Sequence, residues 1–274
     1  MAEQELPSYD RPPVVEVAVG TAFDRLPIQA SAHFGAFWKS MLAEKFPIVQ
    51  EHPPYLAPIE RFGMSSFAPE LQVQLRQDYP SPRFWFLTPT GDELLQVQPD
   101  WLGCNWRRVL PDAEYGRWPS RRAAFVEFYS LFNRYLMEAG LGPLTPRQCE
   151  VTYVNHINPG EVWQEHRDLH KILKLVNYVD TGSRADLEQA EVRHHFAIPD
   201  DIGQHIGRLH IVALPAYVDM NKTPIYRLEF TARGAPLGEG LDGVMSFLDT
   251  GREIIVRTFA EVTSREIQQE WGLR

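Results

Sequence analysis

Cysteine is scarce in this chain, with Cys104 and Cys149 the only two in 274 residues. Two thiols far apart in sequence do not make the disulfide framework of a small secreted protein. No uninterrupted apolar run reaches membrane-spanning length. Positive charge is in deficit: 27 Lys and Arg stand against 36 Asp and Glu, for a formal net charge of −9. That balance argues against general affinity for nucleic acid or anionic membrane, since both rest on basic side chains neutralising phosphate. The densest basic pairs, Arg107-Arg108 and Arg121-Arg122, read as solvated loop or helix-start positions rather than as a phosphate track. Also missing are a phosphate loop, a Gly-x-Ser-x-Gly elbow and a nucleotide-binding glycine fingerprint after the first strand. Met1 to Pro13 is acidic and proline-punctuated and lacks the apolar core of a secretory signal. A mobile arm over residues 1–13 and a cytoplasmic protein with reduced thiols are the expectations.

Hydrophobic residues make up 44% of the chain and aromatics 12%, enough to exclude disorder. Val14 to Gly20 reads as a strand from its β-branched content. Phe34, Phe37, Trp38, Met41, Leu42 and Phe46 recur at three and four, predicting a helix from Ser31 to Phe46 that Pro47 stops. An extended, proline-rich connector follows from Glu51 to Phe67. Strands are predicted at Leu71–Leu75, Arg83–Leu87, Glu93–Gln98 and Trp101–Arg107, with Thr88 to Asp92 as a hairpin turn. A long amphipathic helix spans Ser120 to Ala139, ended by Gly140. Cys149 to Ile157 reads as the opening strand of a second copy: helix from about Val162 to Val176, strands at Val192–Ile198, Gly207–Val218 and Pro224–Ala232, then a helix over Gly243–Val262. A short helical tail is predicted within Ser264–Trp271.

The matching order predicts an α+β fold made of a duplicated strand, helix, antiparallel strands and long helix unit, with antiparallel sheets and helices packed on one face. Its halves would be residues 14–147 and 148–274, packed as one compact unit.

Several blocks carry a resemblance that covers the whole chain. They are Pro12-Pro13-Val14-Val15-Glu16-Val17, Phe37-Trp38, Phe46-Pro47, Leu94 to Asp100 leading into Asn105-Trp106-Arg107, Glu150 to Ile157, Leu248-Asp249 through Phe259, and Trp271-Gly272. In these the chain resembles a sporadically distributed prokaryotic family of uncharacterised proteins of about this length. The resemblance implies a fold and a prokaryotic cytosolic origin, and it transfers no catalytic residue.

Two constellations could carry chemistry. Gln96, Gln98, Asn105 and Trp106 fall on adjacent strands, and Tyr153, Asn155 and His156 on the strand opening the second half. Amides in strands suit a solvated sheet face, or a concave surface where they contact a ligand or partner chain. His166 and His170 stand four apart, a spacing that on one helix can chelate Zn²⁺ or another divalent metal. Arg167 occupies the position where a metalloprotease needs its glutamate. Cys104 and Cys149 read as buried small hydrophobes rather than thiolates.

The function expected from this is a cytosolic, non-enzymatic binding protein that recognises a partner protein or a small ligand and needs no cofactor. An antitoxin or immunity-type role, in which an acidic protein masks an effector, fits the charge. The alternative is metal-assisted hydrolysis or acid/base chemistry around His156, His166 and His170.

Overall fold

A computed structural model of the chain describes residues 5–28, 30–62, 81–110, 113, 115–178, 182, 185–218 and 222–274. In chain order its elements are β1 (Val14–Phe23), α1 (Ala30–Phe37) continuing as a π turn (Trp38–Leu42), β2 (Ile48–His52), β3 (Arg83–Leu87), β4 (Glu93–Gln98), β5 (Trp101–Arg107) and α2 (Arg117–Glu138). Then come β6 (Pro146–Ile157), a 3₁₀ turn (His166–Asp168), α3 (Leu169–Ile172), β7 (Val192–Pro199), β8 (His205–Val218), β9 (Thr223–Gly234), α4 (Gly240–Val262) and α5 (Arg265–Glu270). The strand predicted at Leu71–Leu75 lies outside the described residues.

All these strands belong to one antiparallel, nine-stranded sheet in the order β2-β3-β4-β5-β1-β6-β9-β8-β7. This corrects the expected duplicated unit with its own antiparallel sheets. The segment read as the start of a second copy is a central strand, running antiparallel to β1 from Val14 opposite Asn155 to Phe23 opposite Pro146. The reason is backbone accounting. β1 also pairs with β5, and β6 with β9, so joining β1 to β6 satisfies two edges that separate sheets would leave open.

The sheet has two unlike faces because side chains alternate along each strand. Val17, Val19, Leu95, Cys104, Val151, Ile211 and Phe230 are buried on one face, beneath the long helices. α2 lies over β5 and β1, and α4 over β6, β9 and β8. Phe125, Phe128, Phe132 and Leu136 form the buried stripe of α2, at the three- and four-residue spacing that keeps one helix face turned inward. Gly140 ends the helix in the left-handed region at φ 68°, which lets its N–H reach Met137 O and that of Leu141 reach Leu136 O. Phe132 meets Phe37 at 5.1 Å, Phe34 at 6.1 Å and Phe23 at 6.3 Å between ring centres, so one residue ties α1, α2 and β1 together. A single cluster of buried apolar side chains draws on strands and helices from both ends of the chain.

Three segments differ from their sequence-based expectation. Ile48–His52, whose end overlaps the expected connector, is the edge strand β2 paired with β3. The helix predicted from Val162 to Val176 is reduced to the 3₁₀ turn and the single turn of α3, because Leu173 leaves the helix to pair with Thr263. Residues 8–11 of the expected arm lie along the C-terminus. Asp10 and Arg11 donate to Gly272 O and Trp271 O, both at 3.0 Å, and the buried Tyr9 ring stands edge-on to Phe259 and Trp271. Among the described residues no helix is long and apolar enough to cross a membrane.

Replacing the fully buried Phe132 with alanine is expected to cost about 3–5 kcal/mol through the cavity left between three elements. Urea unfolding at neutral pH measures it; a loss below about 1 kcal/mol, the scale of a surface change, would contradict this packing.

Candidate functional site

The face turned away from the helices is polar along its centre, and strand register arranges its side chains in rows. One row runs Asn105, Ala18, Thr152, Thr231, His210 across β5, β1, β6, β9 and β8. On one side of it lies the row Gln96, Gly103, Gly20, Glu150, Arg233, Arg208. On the other lies Arg107, Glu16, Val154, Glu229. Ala18, Thr152 and Thr231 are short, and Glu16, Val154 and Glu229 on one side with Glu150 and Arg233 on the other stand taller, so the middle row is the floor of a groove. The resulting cavity is about 370 Å³ and is bordered by Arg83, Trp85, Gln96 and Asn105 at one end and by Arg227 and Glu229 at the other.

One end of the groove carries a polarised chain of side-chain hydrogen bonds. Arg83 Nη1 and Trp85 Nε1 donate to Gln96 Oε1 at 2.9 and 3.1 Å. Gln96 Nε2 donates to Asn105 Oδ1, and Asn105 Nδ2 to Glu16 Oε1, both at 2.6 Å. Two amides thus connect a guanidinium to a carboxylate across four strands, each bond polarising the next. Arg83 and Arg107 both stand over the Trp85 ring, at 5.3 and 5.5 Å, within cation–π range.

A strap, residues 53–62, lies over the neighbouring row. Two glutamines hold it by its backbone. Gln98 accepts from Tyr55 N at 2.9 Å and donates to Tyr55 O at 2.8 Å, while Gln148 accepts from Glu60 N at 2.7 Å and donates to Pro58 O. Each amide reads the main chain by supplying one donor and one acceptor. The strap's side chains add an ionic lock. Glu60, whose side chain is 7% exposed, pairs with Arg208, with His210 Nε2 at 2.6 Å and with Arg233 Nη1 at 3.1 Å. Arg233 Nε also meets Glu150 at 2.6 Å, and the Tyr55 hydroxyl donates to the same carboxylate at 3.1 Å.

Burial opposes ionisation of Glu60, yet its hydrogen bond to His210 and the charges of His210, Arg233 and Arg208 outweigh that and hold its carboxyl below the ordinary value. Burial also works against the charge of Arg233, but Glu150, Tyr55 and Glu60 keep its guanidinium above its usual value. Burial and the Glu150 charge push the Tyr55 hydroxyl up. Beneath Tyr55, Trp101 lies on paired backbone: a Cβ on Gly20 would sit 2.3 Å from its ring, so only glycine allows that close approach.

The residues singled out from the sequence divide between the two sides of the sheet. Gln96, Gln98, Asn105 and His156 belong to the open face. Trp106 lies opposite Val17, is buried, and packs 5.1 Å from the Tyr115 ring. Tyr153 and Asn155 line a separate cavity under the helices. Tyr153 and His156 are three apart, which in a strand puts them on opposite faces. His156 lies opposite Arg227, and burial first, then that charge, lower its pKa.

His166 is buried, with Nε2 3.0 Å from Ile225 O. His170 sits 3.3 Å from Arg167 O and against the Tyr178 ring. They occupy a 3₁₀ turn and a short helix, not one helix face. Among the described residues no group of three or more His, Cys, Asp or Glu is placed to hold a metal. Cys104 and Cys149 are unpaired, and burial pushes both thiols up, Cys149 to about 12.

Sequence reasoning missed Glu16, Tyr55, Glu60, Arg83, Gln148, Glu150, Arg208 and Arg233. A signal did exist: Gln148-Glu150-Thr152 in β6 and Arg227-Glu229-Thr231-Arg233 in β9 are polar at every second residue, the pattern of a strand with one wet face. Neither family models nor curated proteins match the chain.

Replacing Glu60 with glutamine is expected to cost about 3 kcal/mol at neutral pH, because the half-buried Arg208 loses its carboxylate partner and the buried site loses the charge that Arg233 and His210 share. The folded pKa of Glu60 lies below its unfolded value, so its contribution is complete above the ordinary value of 4.5 and fades as pH falls through the lower folded value. The stability gap between wild type and variant, from urea curves, should close on acidification; a gap independent of pH from 7 to about 3 would contradict the ionic lock.

Proposed function

We propose that this chain is a cytoplasmic protein-recognition module whose open sheet face binds an extended segment of a partner polypeptide. The strap is the observation that carries the reading. This face already holds an extended segment across its strands, and it does so through side-chain amides that pair with main-chain N–H and C=O groups. Recognition of that kind is independent of the bound sequence, and charged neighbours then add selectivity.

The adjacent groove carries the same kinds of group in the next row of the sheet. Amides stand at one end in Gln96 and Asn105, threonine hydroxyls line the floor in Thr152 and Thr231, and charges of both signs border it in Arg83, Glu16, Arg227 and Glu229. A partner segment there would run beside the strap at the two-residue row spacing of about 7 Å. An antitoxin or immunity-type setting, in which the module masks an effector, suits a chain of net charge −9. Buried, unpaired thiols with raised pKa values suit a reducing compartment.

The test is site-specific photocrosslinking in the native host. A photoreactive phenylalanine at Arg227, on the groove, is expected to give one discrete polypeptide adduct, and the same group at the exposed Ser246 of α4 none. The adduct should fall several-fold in the double variant Gln96→Ala, Asn105→Ala. Equal labelling at both positions, or no adduct from Arg227, would remove the open face as the recognition surface.

A further inference from the structure

The helix side of the sheet holds a second, larger cavity of about 710 Å³, within the range of small-molecule sites. It lies among β1, β6, the start of α2, α4 and residues 5–13. Its walls are apolar where Pro12, Pro13, Trp118 and Ile255 meet. Trp118 is fixed by a 2.8 Å hydrogen bond from its indole to Asp249, so it offers a ring surface rather than a donor. Arg117 holds the outer wall, donating to Ser8 Oγ and Tyr9 O at 3.2 Å. It does so from a left-handed backbone, φ 53°, a conformation that costs a non-glycine residue about 1 kcal/mol or more.

The polar groups in this cavity are mainly donors. Tyr115 donates its hydroxyl proton to the Tyr153 oxygen at 3.3 Å. Burial raises the pKa of Tyr153, and the hydrogen bond from Tyr115 and then the nearby charge of Arg252 work in the opposite direction. An oxygen that already accepts from Tyr115 can offer its own proton to an acceptor. Arg252 makes no ion pair among the described residues, and its Nε is buried without a hydrogen-bond partner. The carboxylates on the wall do not serve it: Glu253 takes Arg257 at 2.8 Å, and Glu5 is exposed. Tyr9, also on the wall, has a buried hydroxyl with no partner. Among the described residues, Arg252 and Arg117 thus stand at this cavity without a carboxylate partner.

We infer that this cavity binds an amphipathic carboxylate, its apolar body between Pro12, Trp118 and Ile255 and its carboxylate accepting from Arg252 and from the Tyr153 hydroxyl. The Arg252 guanidinium, which has no ion pair among the described residues, balances a monoanion. Glu5 and Glu253 on the same wall oppose the second negative charge of a phosphate dianion. The inference is independent of the reading of the open face.

The experiment is calorimetric titration of the full chain with octanoate and 4-phenylbutyrate, each beside its neutral alcohol. At least one carboxylate is expected to bind about tenfold more tightly than its alcohol, the scale of a charge-assisted hydrogen bond. Arg252→Gln should remove that preference, Arg252→Lys should restore most of it, and Tyr153→Phe should weaken binding several-fold. Ile202→Ala, in the exposed turn between β7 and β8, should leave it unchanged. Circular dichroism separates loss of fold from loss of binding, and if Arg252→Gln does not fold, the Tyr153→Phe and Arg252→Lys titrations decide. Failure of both carboxylates to bind, equal affinity for acid and alcohol, or indifference to both Arg252 and Tyr153 would overturn the inference.

Discussion

The antiparallel pairing of β1 with β6 is the contact on which the rest of the molecule depends. Every other strand ladder extends outward from one of these two, β5 through β2 on one side and β9 through β7 on the other. Because the pairing runs nearly the full length of β1, it sets the register of the whole sheet. Register in turn decides which residues share a face, since a slip by one residue exchanges the two sides. The apolar cluster beneath α2 and α4 and the polar rows opposite are therefore two consequences of one alignment. Long-range pairing of this kind is paid for by burying the helix-side face, where Val17, Phe230 and Val151 are wholly enclosed.

The open face carries two continuous chains of matched polar groups. Arg83, Gln96, Asn105 and Glu16 are consecutive partners in one chain of bonds. Arg208, Glu60, Arg233 and Glu150 form another beneath the strap. In both, a cation and a carboxylate on different strands are connected through groups of defined geometry, so the charges are neither isolated nor freely solvated. Such networks hold side chains in place more than they add net stability, because each charge gives up water to join. A face with positioned donors and acceptors suits recognition, where side-chain order before binding lowers the entropy lost on binding.

The cavity on the helix side obeys a different logic. There the polar groups are few, held within apolar walls, and left with donors unspent at Tyr153, Arg252 and Tyr9. The two sides of one sheet thus present a broad polar surface and an enclosed mixed pocket. They share strands but no side chains, since neighbours along a strand point to opposite sides.

Much of the secondary structure was legible in the residues themselves. The stripe Phe125, Phe128, Phe132, Leu136 announces α2, and the β-branched run at Val14 announces β1, because helix and strand periods act over a few neighbouring positions. The site was legible only in part. Gln96 and Asn105 stood out as amides in strands, whereas Glu60 looked like part of a connector and Tyr153 was grouped with His156 despite opposite parity. Local pattern determines which face a side chain takes relative to its own strand. It carries no information on which strands become neighbours. That β6 would complete the sheet begun by β1, that Leu173 would leave its helix for Thr263, and that Glu60 would meet Arg208 from 148 residues away were decided by tertiary structure. Those contacts follow from satisfying backbone edges and buried charges across the whole chain at once, a condition that no short stretch of sequence can state.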